Sequence, residues 1–187
     1  MTTDRRPPRP GKAELAAAEG RTVPDLIGPG LDVLFCGINP GLWSGAVGHH
    51  FARPGNRFWP VLHRAGFTAT QLDPADEREL LAAGLGITNV VERATAGAAD
   101  LTRAELVAGA AVLAAKVAKH QPRFLAVLGI GAWRTAFARP RAVVGRQPET
   151  VGGSAVWVLP NPSGLNAHYQ LDDLVREFAA LREAARD

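Results

Sequence analysis

Two short loops carry the residues best suited to chemistry, Gly37-Ile38-Asn39-Pro40-Gly41 and Asn161-Pro162-Ser163-Gly164-Leu165, each directly following an apolar run. In the first, Gly37 and Gly41 permit tight turning and Pro40 fixes one dihedral, so Asn39 is presented rigidly. No Asp or Glu occurs between Asp32 and Asp73. The loop thus lacks a carboxylate general base, and Asn39 is its polar side chain suited to hold a water. An amide orients water through its oxygen but barely accepts a proton, so chemistry of this kind is slow and depends on a good leaving group. The alternative is that Asn39 only caps its own turn. Further on, Phe51 offers an aromatic face for a planar ring, or else a core side chain beneath the loop. His49 and His50 are adjacent, so in an extended loop they point opposite ways, and two isolated imidazoles are too few for a metal site.

These loops need a scaffold that brings them together. Val33-Leu34-Phe35-Cys36 and Val156-Trp157-Val158-Leu159 are continuous apolar runs, as strands buried on both faces should be. Ligands of parallel α/β sheets bind beyond the carboxyl ends of the strands, so loops far apart in sequence can face one cleft. Further strands are predicted over 87–91 and 124–128, with the last over 155–159. Helices are predicted over 57–65, 76–83, 101–120, 131–138 and 170–185. The third has Leu106, Leu113 and Val117 on one face and a Thr102 to Glu105 capping box at its start. The pattern predicts a three-layer α/β/α domain over 23–187 with a central, mostly parallel four-stranded sheet. Residues 1–22, rich in Arg, Pro, Ala and Gly, are expected to form a flexible basic arm. Its Arg5, Arg6 and Arg9 either graze phosphates or form part of a solvated tail.

At 187 residues and 47% hydrophobic content the chain suits one domain with one sizeable core. The net charge of +3 is a mild bias toward polyanions, carried by arginine, since only Lys12, Lys116 and Lys119 are lysine. The single cysteine, Cys36, excludes a disulfide framework, a zinc quartet and an iron–sulfur cluster. No apolar stretch approaches the roughly 20 residues that span a bilayer, and the N-terminus lacks a signal-peptide apolar core. A reduced, cytoplasmic protein without membrane contact is expected.

Four ordered blocks go further. Gly37-Ile38-Asn39-Pro40-Gly41, Gly48-His49-His50-Phe51 with Pro54-Gly55-Asn56-Arg57-Phe58-Trp59, Thr88-Asn89-Val90-Val91-Glu92-Arg93-Ala94-Thr95, and the terminal Asn-Pro-Ser-Gly-Leu loop span roughly residues 23 to 182. Over them the chain resembles the mismatch-specific uracil/thymine-DNA glycosylases, a branch of the uracil-DNA glycosylase superfamily. The terminal loop is similar to the bacterial members, whereas the His-His and Asn-Val-Val-Glu-Arg blocks are similar to the eukaryotic thymine-active ones.

The resemblance implies a uracil-DNA glycosylase-like fold and hydrolysis of the bond between base and deoxyribose. Such cleavage passes through an oxocarbenium-like state, with water attacking the sugar and the base leaving as an anion. By the resemblance Asn39 is the water-holding catalytic residue, and His50 lies near the water or the leaving base. Phe51 stacks on a flipped pyrimidine, and the backbone amides of Ile38 and Phe51 contact its oxygens. Asn89 pairs with pyrimidine O4 and N3, which would extend the range to thymine, or else it caps the strand end. Ser44 lies near the pocket mouth. Leu165 enters the gap left by the extruded nucleotide, with helix-entry packing as the bland alternative. Gly164 and Asn166 read the widowed base through backbone groups, Ser163 holds a phosphate, and Ala167 replaces a longer basic plug of the thymine-active relatives.

Two acids remain. Glu92 is expected to pair with Arg93, while Asp100 either starts the following helix or reaches the cleft as the base that Asn39 cannot be. The expected partner is double-stranded DNA carrying mismatched uracil or thymine, bound by a monomer that passes its abasic product to downstream repair enzymes. No cofactor is implied. A noncatalytic nucleotide- or nucleic-acid-binding α/β module is the rival reading. A lyase would need an amine nucleophile, and no lysine lies in either loop.

Overall fold

The computed structural model describes residues 9–187. Five strands form one sheet in the order β2-β1-β3-β5-β4: β1 is Val33–Gly37, β2 Leu85–Asn89, β3 Phe124–Leu128, β4 Gly145–Val151 and β5 Ser154–Leu159. The first, second, third and fifth strands run parallel, and β4 pairs antiparallel with β5. Alternation along the central strands sends Val33 and Phe35 to one face and Leu34 and Cys36 to the other. On the first face Phe35 meets Phe58 of α3 (Phe58–Arg64) and Phe178 of α6 (Leu171–Ala184), with ring centroids 5.5 and 6.1 Å away. On the second, Leu113 and Val117 of α4 (Arg103–His120) and Trp133 of α5 (Ile130–Ala136) cover Leu125, Val127 and Val158. The architecture is therefore three layers, helices on both faces of a mostly parallel sheet.

The expectation of four strands is corrected to five. The missed strand, β4, has the sequence Gly-Arg-Gln-Pro-Glu-Thr-Val and buries only Gln147 and Val151. It lies at the sheet edge, where a proline and alternating charges are tolerated and discourage further pairing. The second strand begins at Leu85 rather than 87. A 3₁₀ helix, Pro74–Ala83, stands where an α-helix was expected, and a short α2, Leu42–Val47, follows the first loop.

The described part of the expected N-terminal arm is also structured. Residues 12–16 form α1, Ala18 is fully buried, and Gly20 N–H donates to the Ala94 carbonyl at 2.9 Å. Small residues make this docking possible: a Cβ on Gly45 would lie 2.9 Å from Ala94 Cβ and 3.2 Å from the Ala18 carbonyl oxygen. Arg9 is exposed, and Arg5 and Arg6 fall outside the described residues. Among the described residues no helix is long and apolar enough to cross a membrane.

The chain enters the sheet at β1 and leaves it to either side, with β2 on one flank and β3 on the other. That reversal is the topological switch point at which open α/β sheets open a crevice. Gly37 pairs in register with Asn89 and Leu128 with Leu159, so the strand ends, and the loops after them, share one rim.

Candidate active site

The cleft on that rim, of ≈ 180 Å³, is lined by Ile38, Asn39, Ser44, His50, Phe51, Asn89, Thr95, Ser163 and Leu165, among others. The two loops, more than a hundred residues apart, therefore face one space. A larger groove of ≈ 530 Å³ lies alongside and shares Phe51, Arg53 and Asn56 with it.

The first loop is stitched to the segment after β2. Val90 N–H donates to Gly37 O, Val91 N–H to Ile38 O and Thr95 N–H to Pro40 O, at 2.9, 2.9 and 3.1 Å. Within this frame Asn39 Nδ2 donates to the Arg93 carbonyl at 3.0 Å and to Thr95 Oγ1 at 2.7 Å. Thr95, 1% exposed, donates its own hydroxyl proton to Gly97 O at 2.8 Å. Its oxygen is thereby left to accept, and a carbonyl can only accept, so the amide cannot be flipped. Both donors of Asn39 are used, and its oxygen remains for the cleft.

That arrangement rests on a tied arginine. The Arg93 guanidinium grips Glu105 through Nε at 2.5 Å and Nη2 at 3.1 Å, and Glu105 also accepts the Thr102 N–H of the α4 capping box at 2.8 Å. The Arg93 bond and then the Thr102 amide hold the Glu105 carboxyl down at about 2, and the same bond raises the Arg93 pKa. The expected Glu92–Arg93 pair is thus replaced: Glu92 lies 3.5 Å from Lys116 instead. Asp100 is exposed, accepts the Gly97 N–H at 3.0 Å to close the 3₁₀ turn Ala98–Asp100, and does not line the cleft. Its expected role as a base is corrected to that of a turn cap. Among the described residues no Asp or Glu lines the cleft.

Phe51 adopts φ 51°, an uncommon conformation for an aromatic residue. Its neighbours hold it there: the Glu77 carboxylate accepts His50 N–H at 2.9 Å, Trp59 Nε1 donates to His50 O at 3.2 Å, and Ala52 N–H donates to Ser44 Oγ at 3.1 Å. Ser44, a buried residue of α2 that also lines the cleft, thus pins the Phe51 turn. The Phe51 ring stacks on Phe58 with centroids 4.1 Å apart, so it serves both the core and the cleft. Gly37 makes room for it, because a Cβ there would sit 3.3 Å from the ring and 2.6 Å from Asn89 Oδ1.

The two histidines diverge. His49 Nδ1 lies 3.2 Å from Glu77 and faces the neighbouring groove, whereas His50 is 3% exposed and its Nε2 meets the Pro24 carbonyl at 2.9 Å. A carbonyl requires a proton on that nitrogen, so His50 Nε2–H is committed to Pro24, which leaves Nδ1 as the acceptor nitrogen of the ring. The side chain nonetheless lines the cleft beside Asn39. Asn89, at the end of β2 and 7% exposed, lines the cleft, and its side-chain amide takes none of the hydrogen bonds among the described residues.

The second loop is built from local side-chain turns. Ser163 N–H donates to Asn161 Oδ1 at 2.9 Å, Leu165 N–H to Ser163 Oγ at 3.2 Å, and Asn166 Nδ2 to Asn161 O at 3.0 Å. Leu165 projects from it with 77% of its surface exposed, and Ala167 is exposed as well. Gly164 passes close to Gly55, where a Cβ would lie 2.6 Å from the Gly55 carbonyl oxygen. Asn166 is less free than expected, since its N–H bonds Ser163 O and its carbonyl accepts from Arg57. Its carbonyl keeps a second lone pair.

The model of the uracil DNA glycosylase superfamily matches residues 24–186 of this chain. The chain belongs to that superfamily. Its members are DNA glycosylases, hydrolases of N-glycosyl bonds that act on DNA. The fold agrees: the chain is similar to an NMR structure from Methanosarcina acetivorans described as a candidate uracil DNA glycosylase, with a TM-score of 0.58 at 16% identity over 90% of this chain and 99% of that one. For a glycosylase of this superfamily, two further residues bear on the site: Thr95, which lines the cleft, and Arg57, which lines the neighbouring groove and bonds the second loop. Thr95 ends the segment Thr88 to Thr95, yet its bond to Asn39 spans 56 positions. Arg57 had one signal, a cation opening an apolar helix with no acid within the next turn.

Proposed function

We propose that this glycosylase flips uracil out of mismatched duplex DNA, above all opposite guanine, and excises it by water attack, initiating base excision repair. The observation that carries the reading is the Asn39 amide, fixed by two donated bonds with its oxygen left for a cleft that no described carboxylate lines. An oriented water without a strong base suits a leaving group that departs readily as an anion, as uracil and 5-substituted pyrimidines do. Phe51 supplies the stacking face and Asn89 an unengaged amide that can pair with O4 and N3 of either uracil or thymine. Leu165 enters the duplex where the nucleotide has left, its apolar side chain offsetting lost stacking.

The same cleft supports a monofunctional reaction. Among the described residues no lysine lines it, and Lys116 is engaged with Asp25 at 2.5 Å. The reading includes a monomer working in the cytoplasm and passing abasic sites to downstream repair enzymes. Strand cleavage by alkali after incubation with G·U, G·T and A·U duplexes tests it. Abasic sites in G·U are expected, with the G·T lane reporting whether Asn89 extends the range. DNA retention without base release from any duplex would favour a noncatalytic binding module.

A further inference from the structure

The loop that carries Leu165 is held from below by one side chain. Arg57 Nη1 donates to Tyr169 O at 2.6 Å, Nη2 to Ser163 O at 2.5 Å and Asn166 O at 3.0 Å, and Nε to Pro162 O at 3.4 Å. Its backbone N–H adds a bond to Pro162 O at 3.0 Å. One guanidinium thus gathers four carbonyls spread over the eight residues that carry the loop. Among the described residues Arg57 pairs with no carboxylate. Its charge is met by carbonyl dipoles alone.

We propose that Arg57 is the positioning residue of the duplex-opening loop, holding Leu165 in its projecting conformation before DNA arrives. This rests on the reading of Leu165 given above. The loop has little else to fix it. Leu165 is 77% exposed and Ala167 and His168 are exposed, so burial contributes little, and the Asx and serine turns act only over two to five residues. A planar fork with five N–H donors can serve several carbonyls at fixed angles, whereas an ammonium is a point charge on a flexible stem. Arg57 is also anchored at its own base, because it caps α3 and the next residue, Phe58, is fully buried. The loop's shape is thereby coupled to the core layer that backs Phe51, which stacks on the same Phe58. Pre-organisation of this kind matters because any ordering left until binding would reduce the rate of insertion.

The test combines Arg57→Lys with Leu165→Ala on a G·U duplex under single-turnover conditions, alongside hydrogen exchange of the free proteins. Arg57→Lys keeps charge and stem, and Arg57→Gln serves if the lysine variant melts well below wild type. The expected result is that either Arg57 variant lowers the excision rate about tenfold, as Leu165→Ala does, that the double variant loses less than about twofold more, and that exchange accelerates only within 161–170. A merely structural role would not give that non-additivity. Wild-type rates in the Arg57 variants, or losses that multiply in the double variant, would overturn the clamp while leaving the glycosylase reading intact. A wild-type protein that releases no uracil would overturn that reading and this proposal together.

Discussion

The two loops of the cleft are built in opposite ways. Gly37 to Gly41 is joined along its length to the segment after β2, and its working side chain has both donors committed to Arg93 and Thr95. Asn161 to Tyr169 hangs beyond the sheet on local turns and one arginine, and its working side chain is 77% exposed. The difference matches the demands on each. A weak base such as an amide gains its effect from placement, which a rigid frame supplies, whereas a wedge must stand proud of the surface to meet a duplex. In the first region geometry is fixed by hydrogen bonds from a distant strand end, and in the second by a cation acting on backbone oxygens.

Removing one lock from the rigid loop should have the larger effect. Thr95→Val leaves an amide hydrogen of Asn39 without its partner, and a misplacement of about 1 Å at a reacting group can cost on the order of 10²-fold, so single-turnover excision should fall roughly 10- to 100-fold. Thr95→Ser should restore most of it, and equal loss in both variants would mean that the hydroxyl is not the lock. At the exposed loop, Leu165→Ala should lower excision from paired duplex by about tenfold, the scale set by burying a leucine side chain at ~1.5–3 kcal/mol. Its stability should stay within about 0.5 kcal/mol of wild type, since the side chain is exposed in the free protein. A marked drop in Tm would show instead that Leu165 packs as core.

The smallest effect concerns the support behind the rigid loop. Glu105 is held at about 2 in the folded protein against 4.5 for a free carboxyl, so its ionised form favours the fold. That contribution is present above pH 4.5 and fades as pH falls toward 2. Glu105→Gln should therefore melt slightly below wild type at pH 7, with the gap closing in acid. A gap that stays constant with pH would assign the difference to the Thr102 cap rather than to the charge pair with Arg93.

The sheet's centre was legible because its strands are buried on both faces: Val33 to Cys36 and Phe124 to Leu128 are apolar without interruption. The α4 start was legible too, since a Thr102–Glu105 capping box is a local signal with a local consequence. The edge strand β4 was not, because an edge needs few buried side chains and carries Arg146, Pro148 and Glu149. The docking of α1 was hidden for a different reason. It depends on Ala18 meeting Gly45 and Ala94, small residues that signal nothing by themselves. At the site, placing both loops on one cleft followed from strand topology alone. The partners of Asn39 and Arg57 did not, because they are backbone carbonyls and a hydroxyl 54 to 112 positions away, and a carbonyl has no sequence signature. Asp100 was misassigned for the same reason, its partner being the Gly97 N–H, and the Pro24 carbonyl that engages His50 Nε2 was equally invisible.

The most direct test of the central claim compares wild type with Asn39→Ala on a G·U duplex, reading abasic product by alkaline cleavage in single turnover. The account predicts a loss of about 10²- to 10⁴-fold, the range for removing a positioned group of this kind, with fold and duplex binding retained. Release of uracil by the variant at the wild-type rate would contradict it and place the chemistry elsewhere in the cleft.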